Sequence, residues 1–167
     1  MIVYIKRDYE GVNMFNGIRR SDRKIDRLEA IQLLKKCEYG VLSTMNENGY
    51  PYGVPLSYIY TNDSIYFHSA LEGHKLENLK NNDKVSFCVV GQTNVLPDKF
   101  STKYESVIIF GSAKEVFDDE KNVVLLELIN KYSPDYIEKG KIYIKNAGSK
   151  TKVIKVNIDH ISGKARR

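Results

Sequence analysis

The sequence predicts a mainly β protein, an antiparallel barrel, closed or split, of about six strands with helices at its periphery. Three observations predict it. Short β-branched and aromatic runs alternate with turn residues, as where Tyr39–Met45 (YGVLSTM) meets Asn46–Gly49 (NENG) and the β pattern resumes at Tyr50. The long run Tyr104–Phe117 (YESVIIFGSAKEVF) carries Gly111 in its interior, where a bulge or a barrel corner belongs. Helical periodicity is confined to short segments between and beside these runs.

Taken in order, Met1–Gly17 alternates weakly and ends in Asn16-Gly17, so 1–17 reads as an arm or an added edge strand before a single domain over 18–167. Asp26 followed by Glu29 is a capping pattern, and Leu28, Ile31 and Leu34 form the stripe of a helix running to about Lys36. After the first hairpin, Tyr50–Tyr60 (YPYGVPLSYIY) is a strand interrupted by Pro51, Gly53 and Pro55. Proline cannot donate to a ladder, so this strand is either an edge protected against aggregation or a backbone facing a flat ligand.

Ser64–Ser69 (SIYFHS) is the next strand, Gly73 breaks the chain, and His74–Asn81 carries Leu76 and Leu79 as the buried side of a short helix. The start of that helix presents unpaired N–H groups and a positive dipole end. Lys75 stands in its first turn, where a cation is unfavourable unless an anion is bound. The stretch therefore reads as a phosphate-holding turn, with Ser69 and His74 as further donors, or as an ordinary turn with a solvated lysine. Lys84–Val90 (KVSFCVV) is a central strand, Gln92–Lys103 a loop, and Asp118 or Asp119 caps a helix burying Val124, Leu125, Leu128 and Ile129. Ser133-Pro134 stops that helix, Asp135–Gly148 is polar with a short element around Ile142, and Val153–Ile161 alternates as the closing strand.

Composition narrows the function. Apolar and charged fractions of 42% and 28% are those of a globular protein, and neither a membrane-length apolar run nor a signal-peptide core occurs, so a cytoplasmic protein is expected. Cys37 and Cys88 read as buried free thiols. The net charge of +5 gathers near the ends, in Arg19, Arg20, Arg23, Lys24, Lys164, Arg166 and Arg167, without a nucleic-acid motif beside it. No Gly-rich dinucleotide or phosphate loop is present, and His68, His74 and His160 are not at metal-ligand spacing, so no metal site is expected. Oxidoreduction through a bound organic cofactor remains.

The segments GVLSTMNENGYPYGVPLSYIY, IYFHSALEGHKLENLKNNDKVSFCVV, KFSTKYESVIIFG and HISGKA together resemble the pyridoxamine 5'-phosphate oxidase-like split barrels, in the flavin-nucleotide-binding branch that includes the nitroimidazole-resistance proteins. The resemblance covers Ile18–Ala165 and implies a six-stranded split barrel of the FMN-binding type. It also implies a homodimer with FMN at the subunit interface. By this resemblance Gly53, Val54, Pro55, Leu56 and Ser57 lay backbone along the flavin ring, and His68, Ser69, Ala70, Gly73, His74 and Lys75 hold its phosphate. Tyr104 and Ser106 come from the second subunit. The parent oxidases carry Arg-Lys where this chain has His74-Lys75. The residues that hold pyridoxal phosphate there lie largely in a C-terminal extension without a match here, which points away from pyridoxamine oxidation.

His68 is the one ionisable side chain of its strand, and it either packs against the flavin or acts as the catalytic group that positions or protonates a reduced substrate. The expected function is an FMN-dependent reductase of small electron-poor acceptors, nitro compounds among them, using NAD(P)H. The alternatives are a flavin- or haem-binding or storage protein without dedicated turnover, and a basic nucleic-acid-binding barrel.

Overall fold

The computed structural model describes residues 14–167, so most of the arm expected over 1–17 lies outside the described residues. The strands are β1 (Lys24–Ile25), β2 (Tyr39–Met45), β3 (Pro51–Ser57), β4 (Ile59–Thr61), β5 (Ser64–Ser69), β6 (Lys84–Leu96), β7 (Ser101–Val116) and β8 (Lys152–Arg166). The helices are α1 (Arg27–Lys36), α2 (His74–Asn81), α3 (Asp118–Tyr132) and α4 (Ile137–Ala147). The strands form one antiparallel sheet in the order β3-β2-β6-β7-β8-β5-β4, with β1 added to β8. Its edge strands β3 and β4 follow one another in the chain, separated only by Tyr58. The sheet therefore curls until its two edges meet at one residue, the geometry of a split barrel.

Two apolar clusters fix the layers. Inside the barrel, Leu42, Ile65, Phe67, Phe87, Val107, Ile109 and Val156 pack beneath Ala30, Leu33 and Leu34 of α1. Outside it, Tyr66, Val116 and Val153 pack against Val124, Leu125 and Leu128 of α3. Val153 and Ile154 are consecutive yet both buried, because each face of β8 is covered there. Asp26 caps α1 as expected, accepting from the Glu29 N–H at 2.8 Å. The β2–β3 hairpin closes with Gly49 at φ 81°, and its N–H donates to the Asn46 carbonyl at 3.0 Å.

The structure corrects several expectations. Tyr50–Tyr60 is two strands broken at Tyr58, because the chain passes there from one sheet edge to the other. Gln92–Lys103 is a hairpin arm rather than a loop: β6 runs to Leu96, β7 starts at Ser101, and Phe100 turns between them at φ 46°. That arm shows no periodicity because most of its residues face solvent. Neither Asp118 nor Asp119 caps α3, whose N-cap is Phe117, and both aspartates lie in its first turn. Residues 137–147 form α4. On α1 the buried positions are Ala30, Leu33 and Leu34, while Leu28 is exposed and Ile31 half-buried. Ile129 is half-buried, and Cys37 and Cys88 are free, half-buried thiols. The Gly111 expectation holds: pairing shifts register between Phe110 and Gly111, leaving Asp159 of β8 as the bulged residue.

A break in a sheet orphans backbone groups, and α3 satisfies them. Lys131 Nζ donates to the Cys37 and Tyr58 carbonyls at 2.7 and 3.0 Å and lies 4.3 Å from the Tyr58 ring centroid. The Tyr132 hydroxyl accepts from the Tyr58 N–H at 2.9 Å and stands within hydrogen-bond reach of the Glu38 and Tyr58 carbonyls. Burial pushes the Lys131 ammonium pKa down, while Cys37 and Glu38 favour its charge. Lys131→Met leaves the Cys37 carbonyl without its donor, and the Tyr58 carbonyl with the Tyr132 hydroxyl alone, and is expected to cost about 1–2 kcal/mol, a fall in Tm of roughly 2–8 °C. An unchanged Tm by circular dichroism would show that water replaces the lysine.

Candidate anion-binding turn and the strands around it

β5 ends at Ser69, which is 4% exposed and whose hydroxyl has no hydrogen-bond partner among the described residues. Buried hydroxyls are almost always paired, so this one is a donor waiting for an acceptor. The exposed Ala70, Leu71 and Glu72 follow, and then Gly73 at φ 136°. Nothing lies within 4 Å of a Cβ built there, so glycine is required by its backbone angle and not by crowding. The Gly73 carbonyl accepts from the Leu76 and Glu77 N–H groups at 2.8 and 3.1 Å, which closes the first turn of α2. The N–H groups of His74 and Lys75 precede the first intrahelical donors and remain for a ligand. Lys75 is half-buried and makes no ion pair among the described residues. A buried hydroxyl, open backbone donors and an uncompensated ammonium on one short turn together suit an anion with several oxygens.

The same turn is tied to the proline-interrupted strand. Asn78 of α2 is buried and donates from Nδ2 to Thr44 Oγ1 at 2.9 Å, which pins the helix onto β2. The His74 ring lies over Tyr52 of β3 at a centroid distance of 4.2 Å. Along β3, Pro51, Gly53, Pro55 and Ser57 face outward, while Tyr52, Val54 and Leu56 turn half-buried toward the core. Among the described residues β3 pairs only with β2, which leaves its other edge open there.

His68 and Ser69 leave β5 on opposite faces. Ile65 and Phe67 point into the barrel, and Tyr66 points to α3. Alternation therefore sends His68 outward, where it borders an apolar cavity of about 130 Å³ lined by Leu128, Ile129, Tyr143, Ile144 and Thr151. Partial burial, and then the charge of Lys75, hold the His68 imidazole below its ordinary 6.5. Its folded form is therefore the poorer proton acceptor. As pH falls through about 6.5 the unfolded chain takes up the proton first, and stability is lost until the folded value is passed. We expect Tm to fall between pH 7 and pH 5, and to fall less in His68→Gln; equal slopes would remove His68 as the cause.

Tyr104 and Ser106 are not brought to this turn within one chain. Ser69 pairs with Lys152 at the start of β8, whereas Tyr104 pairs with Arg166 at its end. Sequence reasoning missed the Tyr52–His74 contact, the α3–α4 cavity and the Lys131–Tyr132 hub, none of which has a local signature. Among the described residues no cluster of metal-ligating side chains occurs, and no helix is long and apolar enough to cross a membrane.

The family model for pyridoxamine 5'-phosphate oxidase matches residues 26–165. The chain belongs to the pyridoxamine 5'-phosphate oxidase family. Three solved structures share its fold. A candidate 5-nitroimidazole antibiotic resistance protein from Bacteroides thetaiotaomicron is 24% identical with a TM-score of 0.68, over 84% of this chain and 85% of that one. An FAD and heme binding protein from Mycobacterium smegmatis is 18% identical with a TM-score of 0.77, over 87% and 74%. A flavocytochrome from Azotobacter vinelandii is 19% identical with a TM-score of 0.77, over 93% and 75%. No curated protein matches the chain. As in this oxidase family, the barrel is split and mainly antiparallel with peripheral helices. The family match begins at Asp26, the residue that caps α1, and ends at Ala165 in β8.

Proposed function

We propose that the chain is an FMN-binding flavoprotein, active as a homodimer, that reduces small electron-poor acceptors at the expense of a reduced nicotinamide. The observation that carries this reading is the buried Ser69 hydroxyl beside Gly73 and the half-buried Lys75, neither of which has a partner among the described residues. These donors fit the phosphate of a flavin mononucleotide, and the open edge of β3 at Gly53–Ser57 adjoins them through the Tyr52–His74 contact. FMN, when bound, supplies the hydride-accepting and hydride-donating ring. The chain's own part is to hold and orient it: Ser69 and Lys75 on the phosphate, and Val54, Pro55 and Leu56 as a stiff backbone platform. His68, held neutral near pH 7, can donate one hydrogen bond and accept another at the acceptor.

What supports the homodimer is that the family resemblance assigns Tyr104 and Ser106 to this site, while within one chain they pair at the opposite end of β8 from Ser69, so a second copy would supply them. The fold neighbours described as an FAD and heme binding protein and as a flavocytochrome favour a second reading, a flavin- or haem-binding protein without dedicated turnover. The visible spectrum of the purified protein, followed by NAD(P)H bleaching and reoxidation with a nitroaromatic, separates the two. Reoxidation by the nitroaromatic is the expected result. A flavin that NAD(P)H does not bleach supports the second reading, and equal affinity for FMN and riboflavin would sink the phosphate site.

A further inference from the structure

The hairpin arm ends in a side chain that nothing in its own chain covers. Tyr104 pairs with Arg166, the last residue of β8, and beyond it the two arm strands pair only with each other among the described residues. Pro97–Lys99 turn the tip, and Phe100 follows in the left-handed region at φ 46° with 99% of its surface exposed. A bulky residue in that region strains the backbone, and an apolar ring in water forgoes the gain of burial. The arm therefore presents this ring against two local penalties. Val95 on the arm, Val90 at its root and Ile108 on β7 are exposed as well.

The same molecule carries a hole for that ring. The cavity of about 130 Å³ beside His68 is walled by Leu125, Leu128, Ile129 and Ile144. An aliphatic cavity of about 150 Å³ takes a benzene ring. Knob and hole of one chain do not meet. The arm leaves the sheet at the Arg166 end of β8, whereas His68 pairs with Val153 at the other end, roughly 40 Å of strand away. A second copy related by a two-fold axis across β7 reverses that direction and brings each arm to the other copy's His68 end. A stable interface buries about 800 Å² on each partner, more than the roughly 150–250 Å² of one aromatic ring. In a symmetric pair each copy gives a knob and a hole, and Val90, Val95 and Ile108 add to them. We propose that Phe100 of each copy fills the cavity beside His68 of the other, so that the partner completes the apolar wall next to that histidine. This contact rests on the homodimer proposed above and not on the flavin.

The test joins sedimentation to cross-linking. Wild type is expected to sediment as a dimer. Phe100→Gly keeps and relaxes the turn, and Ala147→Leu fills the cavity from α4; each is expected to weaken the dimer at least tenfold. Phe100→Gly should not lower the Tm of the dissociated protein, since the lost ring is bare there, and this keeps lost assembly apart from lost folding. Chains carrying Phe100→Cys, mixed with chains carrying Tyr143→Cys at the cavity rim, should give on air oxidation a disulfide-linked pair that neither variant gives alone. A dimer left intact by Phe100→Gly overturns the contact, as does a mixture that gives no cross-link. A wild type that sediments as a monomer overturns it together with the homodimer. Cross-linking in a protein that takes up no FMN supports the contact and removes the flavin reading, and a dimer that binds FMN but does not cross-link does the reverse.

Discussion

Lys75→Ala is expected to bind FMN tenfold to a hundredfold more weakly while its riboflavin affinity stays as in the wild type. The lysine is half-buried and without an acidic partner among the described residues, in the first turn of a helix whose dipole already disfavours a cation. A charge-assisted bond to phosphate reverses that penalty, and such bonds contribute roughly 1.5–3 kcal/mol, which converts to the stated range. Riboflavin has no phosphate, so it reports whether the variant still folds and still offers β3 to the ring. His68→Ala should give the converse pattern, FMN retained and acceptor reduction slowed, because His68 leaves β5 on the face opposite Ser69. Equal weakening of both flavins by Lys75→Ala would make the lysine a support of the fold. Unchanged turnover in His68→Ala would make the histidine packing.

Gly111→Ala is expected to cost on the order of 3 kcal/mol or more, a large share of the roughly 5–15 kcal/mol that holds a domain folded. Gly111 is buried in β7 where the pairing with β8 shifts register. A Cβ there would stand 2.0 Å from the Asn157 carbonyl oxygen, which is backbone and cannot rotate away. β8 must move, and with it the pairings that close the barrel against β5. The melting temperature should drop by roughly 6–12 °C. Gly148→Ala is the control: open space surrounds it and its φ of −59° is ordinary for alanine, so that variant should match the wild type or exceed it slightly. A Gly111→Ala protein that melts with the wild type would show that the bulge at Asp159 can slide.

The sequence by itself determined the elements whose causes are local. Asn46–Gly49 had to turn because Gly49 can take positive φ, Asp26 had to cap because its carboxylate reaches the Glu29 N–H, and Gly73 had to end one period and begin another. Those signals also carried the Ser69–Lys75 stretch and the bulge at Gly111, hence most of the barrel and one wall of the candidate site. Tertiary structure alone decided what stands on each face. Hydrophobic periodicity records burial on one side, so it falls silent where a strand is wet on both faces, as in the Gln92–Lys103 arm, or covered on both, as at Val153 and Ile154. The same silence hid the break at Tyr58, because Lys131 and Tyr132 reach its backbone from more than seventy residues away. Alternation could place Lys164 and Arg166 on one face of β8, but only the pairing of β1 with β8 set Lys24 against them. Charge repulsion depends on distance through space, and no spacing along the chain encodes it.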